Sequence, residues 1–296
     1  MSKKLQNYIE YFIFLLLKAI LKLIPRVSYN LFSKLIGNFI FLIFSERKKI
    51  AIQNIKSAFP NFSENEVVEL AKKSFQSVTI TALEFLALSK WNSKKISKII
   101  KITNAEELQK GLQKGNGVIL IGGHYANWEI IIPSCTLHYN LKINIVVQEQ
   151  SNKLVDNVIN QIRTQVGNET ISMDKAPKRV LQLLKENKII AMLGDQSGKQ
   201  DGLFVDFFRK KTSTHRGPAI FALRSNAEIY FMQNIRLENG SYELTFINIS
   251  YDDIDQSKSE STNILTQRIT NIIEQHIRKY PSQWLWMHKR WKHSIN

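Results

Sequence analysis

The segment VILIGGHYANWEII (residues 118–131) carries a histidine and a glutamate directly behind a run of apolar residues. The apolar run predicts a buried strand, and reactive groups of α/β sheets gather at the carboxyl ends of strands. Gly122 and Gly123 allow the backbone to turn tightly there and to approach a ligand. His124 therefore stands where a catalytic residue is expected, with Glu129 five positions later.

The spacing between His124 and Glu129 restricts how the two side chains can meet. On one continuous helix, residues five apart lie about 140° around the axis and do not touch. Contact requires His124 in the turn and Glu129 in the helix that follows. A carboxylate bound to one imidazole nitrogen fixes the tautomer and leaves the other nitrogen as a general base. The alternative is a partly buried histidine with a structural role only.

The remaining motifs limit this chemistry. The sequence has no HExxH, Walker or GxGxxG motif, and only His138 accompanies His124 in this region, so neither a metal nor a bound cofactor is expected. Cys135 is the only cysteine, which excludes an internal disulfide, and its apolar flanks predict a small buried side chain. With no Ser or Cys nucleophile beside His124, the simplest reaction is attack by a substrate hydroxyl that His124 deprotonates. That reaction is acyl transfer without a covalent enzyme intermediate.

Composition and charge restrict the class of protein and its partners. Of the 296 residues, 44% are hydrophobic and 22% are charged, which is enough for a sizeable core. The 41 Lys and Arg against 25 Asp and Glu give a net charge of +16. This excess indicates anionic partners, namely nucleic acid, phosphorylated lipid, an anionic membrane or an acidic protein. A basic surface that only confers solubility is the alternative.

The first 45 residues differ from the rest of the chain. The windows at 11–24 and 31–44 are the most apolar, yet neither reaches the ~20 apolar residues of a bilayer crossing. Lys18 and Lys22 fall on one helical face, a pattern typical of helices that lie in a membrane interface or of short spans with snorkelling lysines. We predict an uncleaved membrane anchor over residues 1–45. A signal peptide and two ordinary buried helices are the alternatives.

The pattern of apolar runs and helix caps over residues 46–296 predicts a single α/β domain. Ser63 and Glu66 form a capping box before a helix that runs to about Leu88. Beyond it, strands alternate with helices of ten or more residues, which favours a central sheet flanked by helices. The strands are expected at 117–123, 142–148, 188–195, 228–235 and 242–249, and the helices at 104–113, 128–138, 152–166, 176–187, 216–226 and 259–279. The last two strands, joined across RLENGS, predict an antiparallel hairpin and therefore a mixed sheet.

Four blocks of this sequence resemble one known family. GGHYANWE is similar to the His-x4-Asp/Glu signature of the glycerolipid acyltransferase superfamily, and more narrowly to the form found in lipid A biosynthesis acyltransferases, the late lauroyl and myristoyl transferases. The stretches 148–167 and 183–229 resemble the two following blocks of that family, and YPSQWLWMHKRWK (280–292) resembles its closing block. Two departures stand out: Arg209 replaces a usual glycine after Phe-Phe, and Val147-Gln148-Glu149-Gln150 replaces a usual Tyr-Arg-Pro. Either change could affect the choice of headgroup or acyl chain.

The resemblance implies a role for each matching residue. His124 would be the general base that deprotonates a hydroxyl of a lipid A precursor, and Glu129 would orient it. Arg163 is a candidate for stabilising the thioester oxyanion or an anionic group, as an arginine with several donors suits either. The remaining candidates shape the site or cap a helix; they are Asp195, Gln196 and Asn127, with Trp128 as a packing residue.

The resemblance also implies partners and a location. The acyl donor would be acyl carrier protein or acyl-CoA, used as a co-substrate, and the acceptor a phosphorylated glycolipid. Residues 46–296 would form the acyltransferase domain on the cytoplasmic side of the inner membrane. An acidic carrier protein, a phosphorylated acceptor and an anionic leaflet all suit the positive charge. Two alternatives remain: acyl transfer to another lipid (a lysophospholipid, a mannosylated lipid or an aminolipid), and a non-catalytic basic membrane protein.

The closing segment WLWMHKRW mixes tryptophans with basic residues. Taken alone it is compatible with single-stranded nucleic acid binding, with a membrane interface, or with tryptophans packed against the sheet. The apolar amino-terminal windows favour the membrane interface, and no nucleic acid partner is expected.

Overall fold

The computed structural model describes residues 2–88 and 92–295. Its helices are α1 (Lys3–Leu23), α2 (Tyr29–Ile43), α3 (Ser45–Ala58), α4 (Glu64–Ala87), α5 (Ser93–Ile99), α6 (Glu106–Gln113), α7 (Trp128–Tyr139), α8 (Lys153–Thr164), α9 (Ala176–Lys185), α10 (Gly217–Ser225) and α11 (Ser261–Lys279). Its strands are β1 (Ile100–Thr103), β2 (Val118–Gly122), β3 (Ile143–Val147), β4 (Glu169–Ser172), β5 (Ile189–Leu193), β6 (Leu203–Phe207), β7 (Lys210–Thr214), β8 (Glu228–Arg236), β9 (Tyr242–Asn248) and β10 (Ser294–Ile295).

The central sheet is mixed, as predicted. Within the described ranges it has seven strands in the order β1-β9-β8-β2-β5-β3-β4. Its neighbours are parallel except β8 and β9, which form the predicted antiparallel hairpin and pair Arg236 with Tyr242 next to the turn. A second, smaller sheet joins β6, β7 and β10. The parallel strands end at one edge, so residues that follow β2 and β5 are brought together there.

Alternation along β2 explains why helices cover both faces of the sheet. Val118 and Leu120 pack in one cluster with residues of α6 and α7. Ile119 and Ile121 belong to the larger cluster on the opposite face, with residues of α4, α9, α10 and α11. A strand buried on both faces reads as a continuous apolar run, which is the pattern that the sequence shows here. Cys135 on α7 is buried in the first cluster, as predicted.

The amino-terminal helices leave much of their apolar surface exposed. Phe12 and Leu16 on α1 are 64% and 61% exposed, and Phe39 and Leu42 on α2 are 63% and 70% exposed. Among the described residues, no single helix has the length and apolar character to cross a bilayer. One pair bent by 97°, Arg26–Ile43 with Ser45–Ala58, meets that criterion jointly. The membrane-anchoring role of residues 1–45, and the boundary after residue 45, stay predictions.

Arg209, which stands where the resembling family usually has glycine, lies in the β6–β7 turn. Phe207 pairs with Lys210, so Phe208 and Arg209 form a two-residue hairpin loop with φ values of 51° and 60°. Both residues therefore have the left-handed backbone of a type I′ loop, in which non-glycine residues are strained. Phe208 is buried, whereas Arg209 is exposed and does not line the cavity that lies beside His124. The departure therefore affects the local backbone rather than the site.

We predict that Arg209→Gly stabilises the protein. Relief of the left-handed conformation is expected to raise the free energy of unfolding by about 1 kcal/mol, measured by chemical denaturation. The matched control is Lys210→Gly, an exposed strand residue without a positive φ, which should lower the free energy of unfolding by roughly 0.5–1 kcal/mol. Equal losses for both variants would contradict the assignment of strain to Arg209.

Candidate active site

His124 lies just past the end of β2 and is bound by a carboxylate from the neighbouring strand. Its Nδ1 is 2.8 Å from Asp195 Oδ1, and its backbone N–H donates to Asp195 Oδ2 at 2.7 Å. Asp195 follows β5, which pairs with β2 up to Gly122 and Leu193. The two residues are distant in sequence but adjacent at the carboxyl edge of the sheet. Asp195 was predicted to shape the site, and the structure makes it the direct partner of His124.

The surroundings of Asp195 keep its carboxylate ionised. The residue is 3% exposed, and the Trp284 indole donates a further hydrogen bond of 2.7 Å to Oδ2. Burial by itself raises the pKa of this carboxyl, but the charge of His124 and the donors from His124 and Trp284 outweigh it and lower the pKa to about 2. An ionised carboxylate only accepts hydrogen bonds, so Nδ1 of His124 must carry a proton.

This tautomer leaves Nε2 of His124 as the basic nitrogen. The side-chain amide of Gln196 lies 3.2 Å from Nε2 and can donate to its lone pair. The Trp128 ring packs against the imidazole in an edge-to-face arrangement, with ring centroids 5.1 Å apart. His124, Trp128 and Gln196 all line the same cavity. The site therefore presents Nε2 of His124 to that space in a fixed orientation. The role of His124 as a general base stays a prediction.

The predicted contact between Glu129 and His124 is wrong in this structure. Glu129 instead forms a two-point ion pair with Arg163 on α8, at 2.9 Å to Nε and 2.6 Å to Nη2. Glu129 is the second residue of α7, and its side chain extends towards α8. The Nδ1 atom of His124 contacts Asp195 instead. Burial lowers the pKa of Arg163, but the Glu129 carboxylate more than offsets this and raises it. Glu129 and Arg163 nevertheless line the cavity with His124.

Asn127 acts behind the cavity rather than in it. It is fully buried and caps α7, accepting from the backbone N–H of Glu129 at 3.2 Å and of Ile130 at 3.3 Å. Its amide nitrogen donates to the buried Glu84 carboxylate at 2.7 Å. Asn127 therefore positions the start of α7, which carries Trp128 and Glu129.

Ala126, and not the glycines, carries the left-handed backbone of this turn. Its φ is 43°, whereas neither Gly122 nor Gly123 has a positive φ. Gly123 is needed for another reason: a Cβ there would lie 2.4 Å from Cε2 of the buried Tyr125 ring. The predicted tight turn is present, but its conformational cost falls on a residue that the sequence did not single out.

The carboxyl-terminal tryptophans pack against the turn that carries His124 (residues 123–127), called the catalytic turn below for its proposed role. Trp284 and Trp286 are 1% and 0% exposed, and the Leu285 N–H donates to the His124 carbonyl at 3.2 Å. The predicted membrane-interface role of this segment is therefore wrong for Trp284 and Trp286, because both side chains are buried and cannot contact a membrane. The indole of Trp284 also donates to Asp195, a contact that no motif in the sequence predicts. The contact between Asn127 and Glu84 was missed as well, because no motif connects these two residues.

The cavity beside His124 is mainly apolar and has a volume of about 330 Å³. It occupies a fork in the sheet: β5 pairs with β2 up to Leu193, but its pairing with β3 stops two residues earlier, at Ile145 and Ala191. Residues of both arms and of the adjoining helices line the space. They include Ile131, Ile145, Val147, Ala191, Leu193 and Met232. Gln148 and Gln150, from the second departure, line it as well.

Metal ligation has no candidate in the described part of the chain. Among residues 2–88 and 92–295, no three His, Cys, Asp or Glu side chains come together in a way that could hold a metal ion. The expectation of a metal-free and cofactor-free site stays a prediction.

Comparison with known families identifies the family of this chain. The model of the bacterial lipid A biosynthesis acyltransferase family matches residues 1–293. The chain belongs to this family. It is therefore an acyltransferase, and the resemblance inferred from GGHYANWE and the three later blocks is confirmed.

Individual relatives are distant in sequence. A lipid A biosynthesis acyltransferase of Haemophilus influenzae is 24% identical over 83% of this chain and 78% of its own length. A lipid A biosynthesis lauroyltransferase of Escherichia coli is 22% identical over 93% and 89%. A phosphatidylinositol mannoside acyltransferase of Mycolicibacterium smegmatis is 22% identical over 65% and 62%.

The Asp195 contact predicts a single tautomer for His124. In the wild-type protein at neutral pH, nitrogen NMR of the imidazole should report a protonated Nδ1 and a basic Nε2. Asp195→Asn should remove this preference, because the acceptor for Nδ1–H loses its charge. Glu129→Gln is the matched control and should leave the tautomer unchanged. If Glu129→Gln altered the tautomer and Asp195→Asn did not, the pairing described here would be incorrect.

Proposed function

We propose that this protein transfers a fatty acyl group from acyl carrier protein to a hydroxyl of a phosphorylated lipid A precursor. Acyl transfer in lipid A biosynthesis follows from the family. The observation that supports the mechanism is the basic Nε2 of His124 at the wall of an apolar cavity. The reaction would take place at the cytoplasmic face of the inner membrane.

His124 is proposed as the general base. Its Nε2 removes the proton of the acceptor hydroxyl as the hydroxyl oxygen attacks the thioester carbonyl. The tetrahedral intermediate then collapses, the carbon–sulfur bond breaks, and the imidazolium returns the proton to the departing thiolate. Asp195 stabilises the imidazolium, because its buried carboxylate lies 2.8 Å from Nδ1. No covalent enzyme intermediate is required.

Arg163 is proposed to stabilise negative charge in the same site. Its guanidinium lines the cavity and is fixed in orientation by the two contacts from Glu129. A fixed cation aimed at developing charge acts without reorganisation during the reaction. Glu129 would then contribute through Arg163, and we propose a His124–Asp195 dyad in place of the predicted contact between His124 and Glu129. The Gln196 amide, beside Nε2, is a second donor at the reacting centre.

The apolar amino-terminal surface supports a membrane location. α1 contacts α8, the helix that carries Arg163, where the Asn152 amide donates to the Asn7 carbonyl at 2.8 Å and to Glu10 at 2.9 Å. An exposed apolar helix next to the element that lines the cavity would bring a lipid acceptor close to His124. The charge of +16 suits an acidic carrier protein and an anionic leaflet.

A second candidate function is acyl transfer to a different membrane lipid. The similarity to a phosphatidylinositol mannoside acyltransferase is the observation that favours it. Mass spectrometry of purified protein incubated with acyl carrier protein thioesters and a panel of acceptors distinguishes the two. Acylation of the lipid A precursor supports the main proposal, and acylation of a phospholipid or mannolipid alone overturns it. An absence of acylation on every acceptor favours a non-catalytic protein.

Turnover should depend on His124 and Asp195. We expect His124→Ala to lower kcat by ~10²–10⁴-fold, the usual contribution of a general base. Asp195→Asn should lower it within the same range, because the tautomer and the imidazolium both lose their support. The matched control is His138→Ala on α7, since His138 does not line the cavity. Unchanged kcat in His124→Ala, or an equal loss in His138→Ala, would contradict the assignment.

The fork in the sheet should set the acyl-chain preference. If the acyl chain occupies the cavity, its methyl end approaches Ile145 and Ala191, where β3 and β5 separate. Ala191→Val fills this space and should shift the preference to shorter chains, whereas Ile145→Ala enlarges it and should shift the preference to longer chains. Competition between acyl carrier protein thioesters of different length measures both. Shifts in the same direction, or none, would place the chain elsewhere.

A further inference from the structure

Glu84 on α4 is a buried carboxylate outside the cavity. It is fully buried, and its oxygens accept from three side chains: Arg26, Asn127 and Tyr242. Arg26 also forms an ion pair with it at 2.8 Å. A buried charge is tolerated only when it is paired and hydrogen-bonded, so this arrangement is a specific one.

Asn127 transmits the position of Glu84 to the catalytic turn. Its Oδ1 accepts from the N–H groups of Glu129 and Ile130, so its Nδ2 must face an acceptor on the other side. The Glu84 carboxylate, 2.7 Å away, is that acceptor. Rotation of the amide would break both sets of contacts together. Glu84 therefore fixes the cap of α7, the helix that begins with Trp128 and Glu129.

Arg236 supports the same turn through a second route. Its Nε donates to the Tyr242 hydroxyl at 2.8 Å, and that hydroxyl donates to Glu84. Its Nη2 donates to the Ala126 carbonyl at 3.1 Å. Ala126 has a positive φ, a conformation that persists only when the surroundings hold it. The network around Glu84 thus holds the turn at both Ala126 and Asn127.

The charge of Glu84 is neutralised from the amino-terminal helices. Arg26 lies in the 3₁₀ turn at Arg26–Ser28, between α1 and α2, and its Nε donates to Glu84 at 2.8 Å. The helices with the exposed apolar surface are in this way joined to the catalytic turn by one ion pair and one amide.

We propose that Glu84 is a positioning residue for the acyl transfer reaction, and that Arg26 makes this positioning depend on the amino-terminal helices. Glu84 touches no reacting atom; it holds Asn127, and through it the turn that presents His124. The inference rests on the proposed function for its kinetic readout and on the structure alone for its NMR readout.

The kinetic test is Glu84→Gln. Glutamine keeps the shape of the side chain but removes its negative charge. Its amide nitrogen cannot accept a hydrogen bond from Arg26, Asn127 or Tyr242, which all donate to Glu84. A misplaced catalytic group of this kind costs roughly 10²-fold, so kcat should fall by about that factor while KM for the acyl donor stays near the wild-type value. Glu84→Asp keeps the charge and should recover part of the loss. Arg26→Met should also lower kcat. In the double variant of Arg26→Met and Glu84→Gln, the fold-loss in kcat should be smaller than the product of the two single fold-losses, because the two residues act as one unit.

A control separates positioning from general destabilisation. Ile55→Ala removes a fully buried side chain of α3 and leaves the hydrogen bonds of Glu84, Asn127 and Arg236 in place. Its thermal unfolding is measured beside that of Glu84→Gln, so that the two kcat values are compared at known losses of stability. If Ile55→Ala lowers kcat as much as Glu84→Gln, or if Glu84→Gln leaves kcat unchanged, the proposal is overturned.

Hydrogen exchange gives a readout that does not need activity. The Glu129 and Ile130 amides, which donate to Asn127, should exchange faster in Glu84→Gln than in Ile55→Ala. Unchanged exchange would overturn the proposal even if activity fell. A wild-type protein that acylates nothing would contradict the proposed function instead, and faster exchange at these two amides would still support the positioning role.

Discussion

The contact between Asp195 and His124 is the interaction on which the site depends. One carboxylate accepts from the imidazole, from the His124 backbone and from Trp284. Burial raises the pKa of this carboxyl, but the charge of His124 and these donors together lower it to about 2. A buried carboxylate without them would take up a proton and could no longer fix the tautomer. The surrounding architecture supplies the donors: β2 carries the turn, β5 carries Asp195, and the carboxyl-terminal segment carries Trp284. Each element is remote from the others in sequence.

The same strand arrangement provides both the base and the space beside it. β5 pairs with β2 to its end, which places Asp195 under His124, and separates early from β3, which opens the cavity. A sheet paired fully on both sides would offer the dyad but no apolar volume next to it. The branched residues of the fork would bury the apolar part of a ligand, whereas the polar groups gather at the edge where the strands end. In the proposed reaction, substrate binding and proton transfer would therefore use different parts of the same gap between strands.

Hydrophobic patterning predicted the sheet better than it predicted the site. The five longer strands and the main helices were expected from apolar runs and caps, because burial on one or both faces leaves a regular signal. In the central sheet, β1 and β4 were missed, since each has four residues and several of them are partly exposed. The smaller sheet of β6, β7 and β10 was not predicted either. His124 was found because it follows a strand. Asp195 was a site candidate as well, but its pairing with His124 was not predicted, because the two residues lie 71 positions apart and sequence spacing does not show which strands are neighbours.

Charge balance explains why Asp195 and not Glu129 suits the imidazole. Glu129 is already neutralised by two hydrogen bonds from Arg163, so its remaining attraction for an imidazolium is small. Asp195 accepts from the neutral indole of Trp284 and from a backbone N–H, neither of which cancels its charge. The Asp195 carboxylate, 2.8 Å from Nδ1, therefore faces the imidazole with a charge that, among the described residues, no other cation at the contact offsets. The two carboxylates near His124 therefore have different partners. Asp195 accepts the Nδ1–H of the imidazole, and Glu129 holds the Arg163 guanidinium at the cavity wall.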